Sequence, residues 1–357
     1  MTPSSTQMTS LERCQAAIRH QIPDRVPVDL HNFLVTLHYA GLPMAPALQD
    51  GDLLAEAQLK FWRDFGQDML LVENGVVAQA CGCGVEYFDD GPPQVAEHVL
   101  AGGLEGIGRL EVPDSFTTPP MDQVLKAVRL LSRELGDRVF IVGRADQGPG
   151  ALAMALRGYE RFVLDLATFE KPELIHQLLD FCVRVQVRYA LPLREAGAHG
   201  TATGGLGVSL LSPDLYRRVE QPYERRFIQT VSCPDFAAAL HICGDATPIL
   251  GEMVATGAPI LELDCKTDLR RAKETLRGKA TLLGPVNPEL LWLASEPQEV
   301  EDAAHEALGI LAPGGGLILG PGCALGYNTP PDNIRTMVET AWKYGAYHPD
   351  GRLKHQP

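Results

Sequence analysis

The sequence has no excess of positive charge. Its 31 lysines and arginines are outnumbered by 45 aspartates and glutamates, which gives a formal net charge of −14. A nucleic-acid groove or an anionic membrane surface requires a basic patch, so the charge balance argues against both kinds of partner. The chain also lacks any run of 18 uncharged apolar residues, and we therefore expect no transmembrane helix.

Signals for export and for a disulfide framework are missing as well. The N-terminus, MTPSSTQMTSLERCQ, contains no basic region followed by an apolar segment, so it does not form a secretory signal. Eight cysteines in 357 residues are too few for a disulfide scaffold. We expect a cytoplasmic protein with reduced thiols, and such thiols remain available to a metal ion.

Phosphate-binding glycine loops are the third absence. The first strand–helix junction carries neither G-x-G-x-x-G nor G-x-x-x-x-G-K-[ST], so a doubly wound nucleotide-binding sheet lacks its signature. What the sequence contains instead is an alternation of short apolar runs with amphipathic helical segments. The eight predicted strands are residues 25–30, 68–74, 138–146, 200–204, 237–244, 259–264, 280–287 and 316–323.

Eight strands that alternate with helices predict an α/β fold, specifically a closed (β/α)8 TIM barrel. We predict a single domain over residues 1–357. Within it, residues 1–24 form an N-terminal helical extension, residues 25–345 form the barrel, and residues 346–357 form a tail.

Polar and ionisable side chains collect at the carboxyl ends of the predicted strands, where a TIM barrel places its active site. His31, Arg144 and Thr203 are among them. We predict that a further group lines the pocket, although a helix cap or a hydrogen bond at the barrel mouth is the alternative for each member. That group is Asp29, Asp146 and Asn287 as contacts to a bound cofactor or substrate, and Glu73 and Asp264 as catalytic residues.

The stretch ALHICGDATPIL places His241 and Cys243 two positions apart at the end of a strand, so both side chains point to one side. Cys323 follows the last strand in LGPGCALGYNTPP, where Gly320 and Gly322 allow close approach of the backbone. Three such ligands with one open position are typical of catalytic zinc. Burial of two thiols and an imidazole in the core is the alternative, and spacing alone leaves both open.

Two other features near these motifs have simpler interpretations. Asp245, directly after CG, is expected to cap the next helix. Cys81 and Cys83 repeat the two-residue spacing in QACGCGVEYF, but no further ligand is near them in sequence. We interpret these two cysteines as packing residues at a turn.

HICGDATPIL and GGGLILGPGCALGYNTPPDNIRTMVETAWKYG together resemble the uroporphyrinogen decarboxylase superfamily, and within it the zinc-dependent, corrinoid-linked methyltransferases of the methylcobalamin:coenzyme M type. The resemblance extends over nearly the whole chain, from MTSLERCQAAIRHQIPDRVPVDL to ATLLGPVNPELLWLASEPQEV. Decarboxylases of the superfamily place an arginine-rich loop after the first strand, and this chain reads VPVDLHNFLVTLHYAG there. Glu73 in VEN replaces the decarboxylase aspartate of FSD, so we do not expect tetrapyrrole decarboxylation.

The resemblance implies a methyltransferase in which His241, Cys243 and Cys323 hold Zn²⁺ and a corrinoid such as methylcobalamin is the co-substrate. Among the pocket carboxylates, the resemblance favours Asp264, and Glu73 is a candidate to fill the open zinc position. No D-x-H-x-x-G segment is present, so the corrinoid is expected to be free or carried by a separate corrinoid protein.

The charge of the expected site favours a bound thiolate over a bound ether. Two thiolates and a neutral imidazole leave the zinc site with a net charge of −1, which suits an electron-rich thiolate better than activation of an ether. We therefore predict methyl exchange between a corrinoid and a thiol or another small acceptor. The alternatives are demethylation of a small methoxy or methylamine compound, and a non-catalytic tetrapyrrole-binding role on a diverged decarboxylase barrel.

Overall fold

The computed structural model describes residues 7–75, 78–88, 93–205 and 207–355. Their strands form one curved parallel sheet in the order β1-β4-β5-β6-β7-β8-β9, together with a small antiparallel pair, β2 and β3. Seven of the eight predicted strands correspond to strands of the parallel sheet, whereas the β2–β3 pair was not predicted. The strands are β1 Met69–Val72, β2 Glu86–Phe88, β3 Gln94–Glu97, β4 Phe140–Gly143, β5 Gly200–Gly204, β6 Ala237–Ile242, β7 Ile260–Leu263, β8 Thr281–Val286 and β9 Leu317–Pro321.

The segment 25–30 closes the sheet into a barrel. Val28 forms a parallel bridge with Leu319 of β9, and its carbonyl accepts a hydrogen bond from the backbone N–H of Met69 at 3.1 Å. This segment therefore occupies the eighth strand position of the barrel, and the predicted (β/α)8 barrel is confirmed. It forms a single bridge to β9 rather than the predicted strand because Pro27 has no N–H to donate to a ladder.

Helices surround the barrel and bury one face each. In the helix that begins at Met121, buried apolar residues recur every three or four positions, as a helix packed on a sheet requires. None of the described helices is long and apolar enough to cross a membrane. The α-helices are α1 Ser10–Ile18, α2 Leu34–Ala40, α3 Met44–Leu48, α4 Gly51–Phe65, α5 Ala78–Gly82, α6 Met121–Leu135, α7 Pro149–Arg157, α8 Tyr159–Thr168, α9 Pro172–Glu195, α10 Pro213–Val219, α11 Gln221–Val231, α12 Leu250–Ala255, α13 Leu269–Leu276, α14 Pro288–Leu293, α15 Pro297–Leu311 and α16 Pro331–Tyr344.

The interior of the barrel changes from apolar to polar along the strands. Ala237 and Ala239 of β6 and Ile260 of β7 belong to a buried apolar cluster inside the barrel. Because side chains of a strand alternate between its two faces, His241 and Glu262 lie on the same interior face, two residues further toward the carboxyl ends. The alternation therefore places the side chains of His241 and Glu262 at the mouth of the barrel.

The amino ends of the strands carry a different polar group, centred on Asp68. The Asp68 carboxylate is fully buried and accepts hydrogen bonds from Arg13 Nη1 at 2.7 Å and Arg25 Nη1 at 2.6 Å. It also accepts one from the backbone N–H of Val28 at 2.9 Å. These contacts attach α1 and the closing segment 25–30 to the start of β1.

Candidate metal centre

The three predicted metal ligands meet at the mouth of the barrel. His241 Nε2 lies 3.1 Å from Cys243 Sγ, and Cys243 Sγ lies 4.0 Å from Cys323 Sγ. All three ligand atoms lie within 4.8 Å of one another. Two sulfurs bound tetrahedrally to one zinc ion lie about 3.8 Å apart, because each Zn–S bond is about 2.3 Å. The spacing and the chemistry of the donor set therefore fit zinc.

Glycines bring the strand end that carries Cys323 close to its neighbours. A Cβ at position 320 would lie 2.7 Å from the carbonyl oxygen of Asp29, and one at position 322 would lie 2.8 Å from the backbone nitrogen of Cys265. Any larger residue at either position would push the last strand away from the strands beside it. The glycines thus allow Cys323 to approach a cysteine 80 residues earlier in the chain.

Glu262 connects the metal ligands to a second histidine. His241 Nδ1, the ring nitrogen turned away from the sulfurs, lies 3.3 Å from the carbonyl oxygen of Glu262 and 3.7 Å from its Oε2. The other carboxylate oxygen, Oε1, accepts a hydrogen bond from His31 Nδ1. A carboxylate behind a metal-binding histidine fixes the orientation and tautomer of its ring.

The charges of this group shift its pKa values strongly. Burial alone would raise the pKa of Glu262, but His241 and His31 outweigh burial and lower it to about 2. Burial would lower the pKa of His241, yet Glu262 and Cys323 raise it to about 9. The pKa of Cys243 is lowered, first by its hydrogen bond with Cys323. Glu262 is therefore an anion, and its charge faces His241 from the side away from the sulfurs.

Glu262 was not among the predicted site residues. A usable signal was present, since Glu262 precedes Asp264 by two positions in PILELD and so points the same way. His31 was noted at a strand end, but its partnership with Glu262 spans 231 residues and has no local signature.

Glu73 lies at the mouth but is paired elsewhere. Its Oε2 lies 3.1 Å from Arg144 Nε, and Arg144 Nη1 lies 3.4 Å from His31 Nε2. Among the residues that the structure describes, the metal-binding group comprises His241, Cys243 and Cys323 without Glu73. Here Glu73 holds Arg144 in place and does not approach the open position.

Asp264 and Asn287 organise loops at the mouth. Asp264 Oδ2 accepts a hydrogen bond from the backbone N–H of Gly244 at 2.8 Å, directly after Cys243. It therefore positions a ligand-bearing loop. Asn287 begins α14 as its N-cap, with its side chain accepting from Glu289 N–H at 2.9 Å.

Asp245 and the cysteine pair Cys81 and Cys83 have simpler roles. Asp245 accepts a hydrogen bond from Thr247 N–H at 2.9 Å, at the start of the short 3-10 helix Thr247–Ile249, although the N-cap position itself is Ala246. Cys81 lies in α5 rather than at a turn, because the chain continues as a short helix from residue 78. Burial raises the pKa of Cys81 and of Cys83 to about 12, which keeps both as thiols.

Asp29 and Asp146 are buried carboxyl groups with spare hydrogen-bonding capacity. Asp29 Oδ2 accepts from His31 N–H at 2.9 Å, and Asp146 Oδ2 accepts from Gln79 N–H at 3.0 Å. Within the described ranges, the Oδ1 atom of each has no hydrogen-bond partner, although each residue is only 2% exposed. Burial is the main reason why the pKa of each rises to about 7.

We expect Glu262→Gln to lower zinc affinity about 10- to 100-fold, the usual cost of losing a hydrogen-bonding group behind a metal ligand. The amide keeps the size of the side chain but removes the charge that faces His241. Competition with a chromogenic chelator measures the change. Glu274→Gln, an exposed change on α13, is the matched control. Equal zinc affinity in both variants would mean that Glu262 does not support His241.

The chain is similar to known proteins over almost its whole length. The model of the family described as "Uroporphyrinogen decarboxylase (URO-D)" matches residues 9–344. A methylcobamide:CoM methyltransferase, MtbA, from Methanosarcina acetivorans is 28% identical over 347 residues, which cover 95% of this chain and 99% of the relative. A uroporphyrinogen decarboxylase from Xanthomonas campestris is 27% identical over 357 residues, with coverage of 93% and 98%.

A solved structure described as a methyltransferase from Methanosarcina mazei is similar over the whole barrel. The two structures superpose with a TM-score of 0.84 at 26% identity, and the match covers 94% of this chain and 99% of the other. The predicted family resemblance is thus confirmed by sequence and by structure.

Proposed function

The chain belongs to the uroporphyrinogen decarboxylase family, and from this membership and its His-Cys-Cys cluster we propose that it is a zinc-dependent methyltransferase that moves a methyl group from a corrinoid to a thiol. The convergence of His241, Cys243 and Cys323 within 4.8 Å is the observation that carries the proposal. Among its relatives, those named methylcobamide:CoM methyltransferases supply the reaction class.

His241 Nε2 and the sulfurs of Cys243 and Cys323 are the atoms that would hold zinc. When bound, zinc supplies a Lewis acid that lowers the pKa of an incoming thiol, so that its sulfur is a nucleophile at neutral pH. In the transfer, the sulfur–carbon bond forms as the carbon–cobalt bond breaks. The cobalt keeps the electron pair, and the thiol proton leaves to solvent.

The other side chains of the mouth support this chemistry by position and charge. Glu262 orients His241 so that Nε2, and not Nδ1, faces the cysteines. The charge of Arg144 also contributes to the lowered pKa of Cys243, after the hydrogen bond with Cys323 and against burial. The same hydrogen bond raises the pKa of Cys323 to about 12, so Cys243 is the sulfur that favours the thiolate form, and a metal ion would have to displace the proton of Cys323.

Two features argue against a decarboxylase reaction. The residues that follow the closing segment 25–30, HNFLVTLHYAG at 31–41, contain no arginine to bind the carboxylates of a tetrapyrrole. Glu73, at the place of the decarboxylase aspartate, is held by Arg144. We propose that a separate corrinoid protein, or free methylcobalamin, delivers the methyl group to the mouth.

Binding of a thiol to the zinc-loaded protein should release about one proton at pH 7, because a free thiol has a pKa near 8.5 and the bound form is deprotonated. Calorimetry in buffers of different ionisation enthalpy counts that proton. The same titration after zinc removal by a chelator should show neither binding nor proton release. Thiol binding without proton release in the zinc-loaded protein would contradict the proposed activation.

A further inference from the structure

The two sulfurs of the metal cluster lie against each other at the mouth of the barrel. Cys243 Sγ and Cys323 Sγ are 4.0 Å apart, although the two residues are separated by 80 positions in the chain. Cys243 follows β6 and Cys323 follows β9, so their contact spans the two strands between them, β7 and β8. A disulfide bond is about 2.05 Å long, so these sulfurs need to approach by only about 2 Å to form one.

Hydrogen bonds of the backbone hold both cysteines in this arrangement. The backbone N–H directly after Cys243 donates to Asp264 Oδ2 at 2.8 Å. The backbone N–H directly before Cys323 donates to the carbonyl oxygen of Val286 at 2.8 Å. Neither bond depends on a metal ligand atom, so the sulfurs stay neighbours when zinc leaves. Two reacting groups held side by side react far faster than two free ones.

Cys265 is the rival partner, because it follows β7 at the same mouth and is also partly exposed. A Cβ at position 322 would lie 2.8 Å from its backbone nitrogen, so its loop contacts the one that carries Cys323. The Cys265 sulfur, however, donates a hydrogen bond to Asp264 Oδ1 at 3.3 Å. Among the described residues, the contact between two sulfur atoms is that of Cys243 with Cys323, so these two are expected to pair.

We propose that hydrogen peroxide converts Cys243 and Cys323 into a reversible disulfide, and that this bond switches off metal binding. A disulfide sulfur is no longer a thiolate, so the site keeps His241 as its remaining ligand and releases zinc. The inference rests on the proposed zinc site and goes beyond the methyl transfer. Such a switch stops the transfer under the conditions in which its reduced cobalt product would be oxidised.

The oxidation proceeds in two steps that use the contact between the sulfurs. One thiolate sulfur attacks a peroxide oxygen, the O–O bond breaks, and a sulfenic acid and a hydroxide ion form. The second thiolate sulfur attacks the first, the S–O bond breaks, and another hydroxide ion leaves as the S–S bond forms. The sulfurs lose two electrons in total, and the two hydroxide ions take protons from solvent to become water. A dithiol reductant reverses the bond by exchange.

Zinc-loaded protein treated with a few equivalents of hydrogen peroxide tests the proposal. A chromogenic chelator measures the zinc released, and we expect its release to keep pace with the loss of the Cys243 and Cys323 thiols. The oxidised protein should bind zinc at least about 100-fold more weakly, because two direct ligands are lost. Dithiothreitol should restore the zinc affinity to within about twofold, since exchange with a dithiol regenerates both thiols.

Two further measurements identify the bond. A protease that cleaves after acidic residues should yield a linked pair of fragments, because Asp235 and Asp245 separate Cys243 from every other cysteine. Urea unfolding of the oxidised protein should have a higher midpoint than that of the reduced, zinc-free protein, because the bond closes a loop of 80 residues. Oxidation to sulfinic acids would also release zinc, but it would give neither the linked fragments nor the higher midpoint.

Cys265→Ser is the matched control. It changes a partly exposed thiol at the same mouth and keeps a hydrogen-bond donor for Asp264. With peroxide, this variant should release zinc and form the linked fragments as the unmodified protein does.

The outcomes separate this inference from the proposed function. If peroxide leaves zinc in place, or releases it without linked fragments, the switch is wrong and the methyl transfer stands. If the fragments show Cys265 joined to Cys243 or Cys323, the assignment of the pair is overturned. If the disulfide forms and releases zinc but the reduced, zinc-loaded protein methylates no thiol, the proposed function fails and the switch stands. If the reduced protein does not bind zinc, both fail.

Discussion

Cys243→Ala should lower zinc affinity more than about 100-fold and reduce methyl transfer from methylcobalamin to background. The expected loss exceeds the 10- to 100-fold range for groups behind a ligand, because the change removes a direct Zn–S bond. Cys243 lies between the other two ligands, 3.1 Å from His241 Nε2 and 4.0 Å from Cys323 Sγ. Among the described residues, no other cysteine belongs to the metal-binding group.

Zinc content after dialysis and competition with a chelator measure the first effect, and the rate of cob(I)alamin formation measures the second. Cys233→Ala is the matched control, since Cys233 is also a free, partly buried cysteine but lies before β6 at the opposite end of that strand. The control should keep both zinc and activity. Full zinc content in Cys243→Ala would rule out the three-residue metal site.

The fold was largely predictable from the sequence because each barrel unit is encoded locally. A short apolar run followed by an amphipathic helix specifies one strand and its covering helix, and eight such units leave few alternatives to a barrel. Local patterns fail where a strand depends on its neighbours. Residues 25–30 close the barrel with one bridge because Pro27 interrupts the ladder. The β2–β3 pair lies within a connection that showed no clear alternation.

The site was predictable to the extent that its chemistry follows a short spacing. The two-residue step from His241 to Cys243 fixes both on one side of a strand end, and the glycines around Cys323 mark a second strand end in close contact. The family resemblance indicated that these two strand ends form one metal site. Which carboxylates support the ligands and which remain free was not predictable, because the His31–Glu262 and Glu73–Arg144 pairs connect distant parts of the chain.

The opposite end of the barrel should determine its stability. We expect Asp68→Asn to lower the free energy of unfolding by about 3–5 kcal/mol, the usual cost of removing one partner from a buried ion pair. Asp68 is fully buried between Arg13, which is 3% exposed at its side chain, and Arg25, which is 17% exposed. The neutral amide would leave two guanidinium groups facing each other, and Arg13 would keep only Asp24 as a carboxylate partner.

Urea unfolding followed by circular dichroism measures the effect, with a lower midpoint and an unchanged slope as the expected result. Asp235→Asn changes an exposed aspartate just before β6 at the same end of the barrel and should leave the midpoint unchanged. Below its transition, Asp68→Asn should bind zinc as tightly as the unmodified protein, because the metal cluster lies at the other ends of the strands. An unchanged midpoint would show that desolvation of the three charges cancels their attraction, and that α1 is held by its apolar contacts instead.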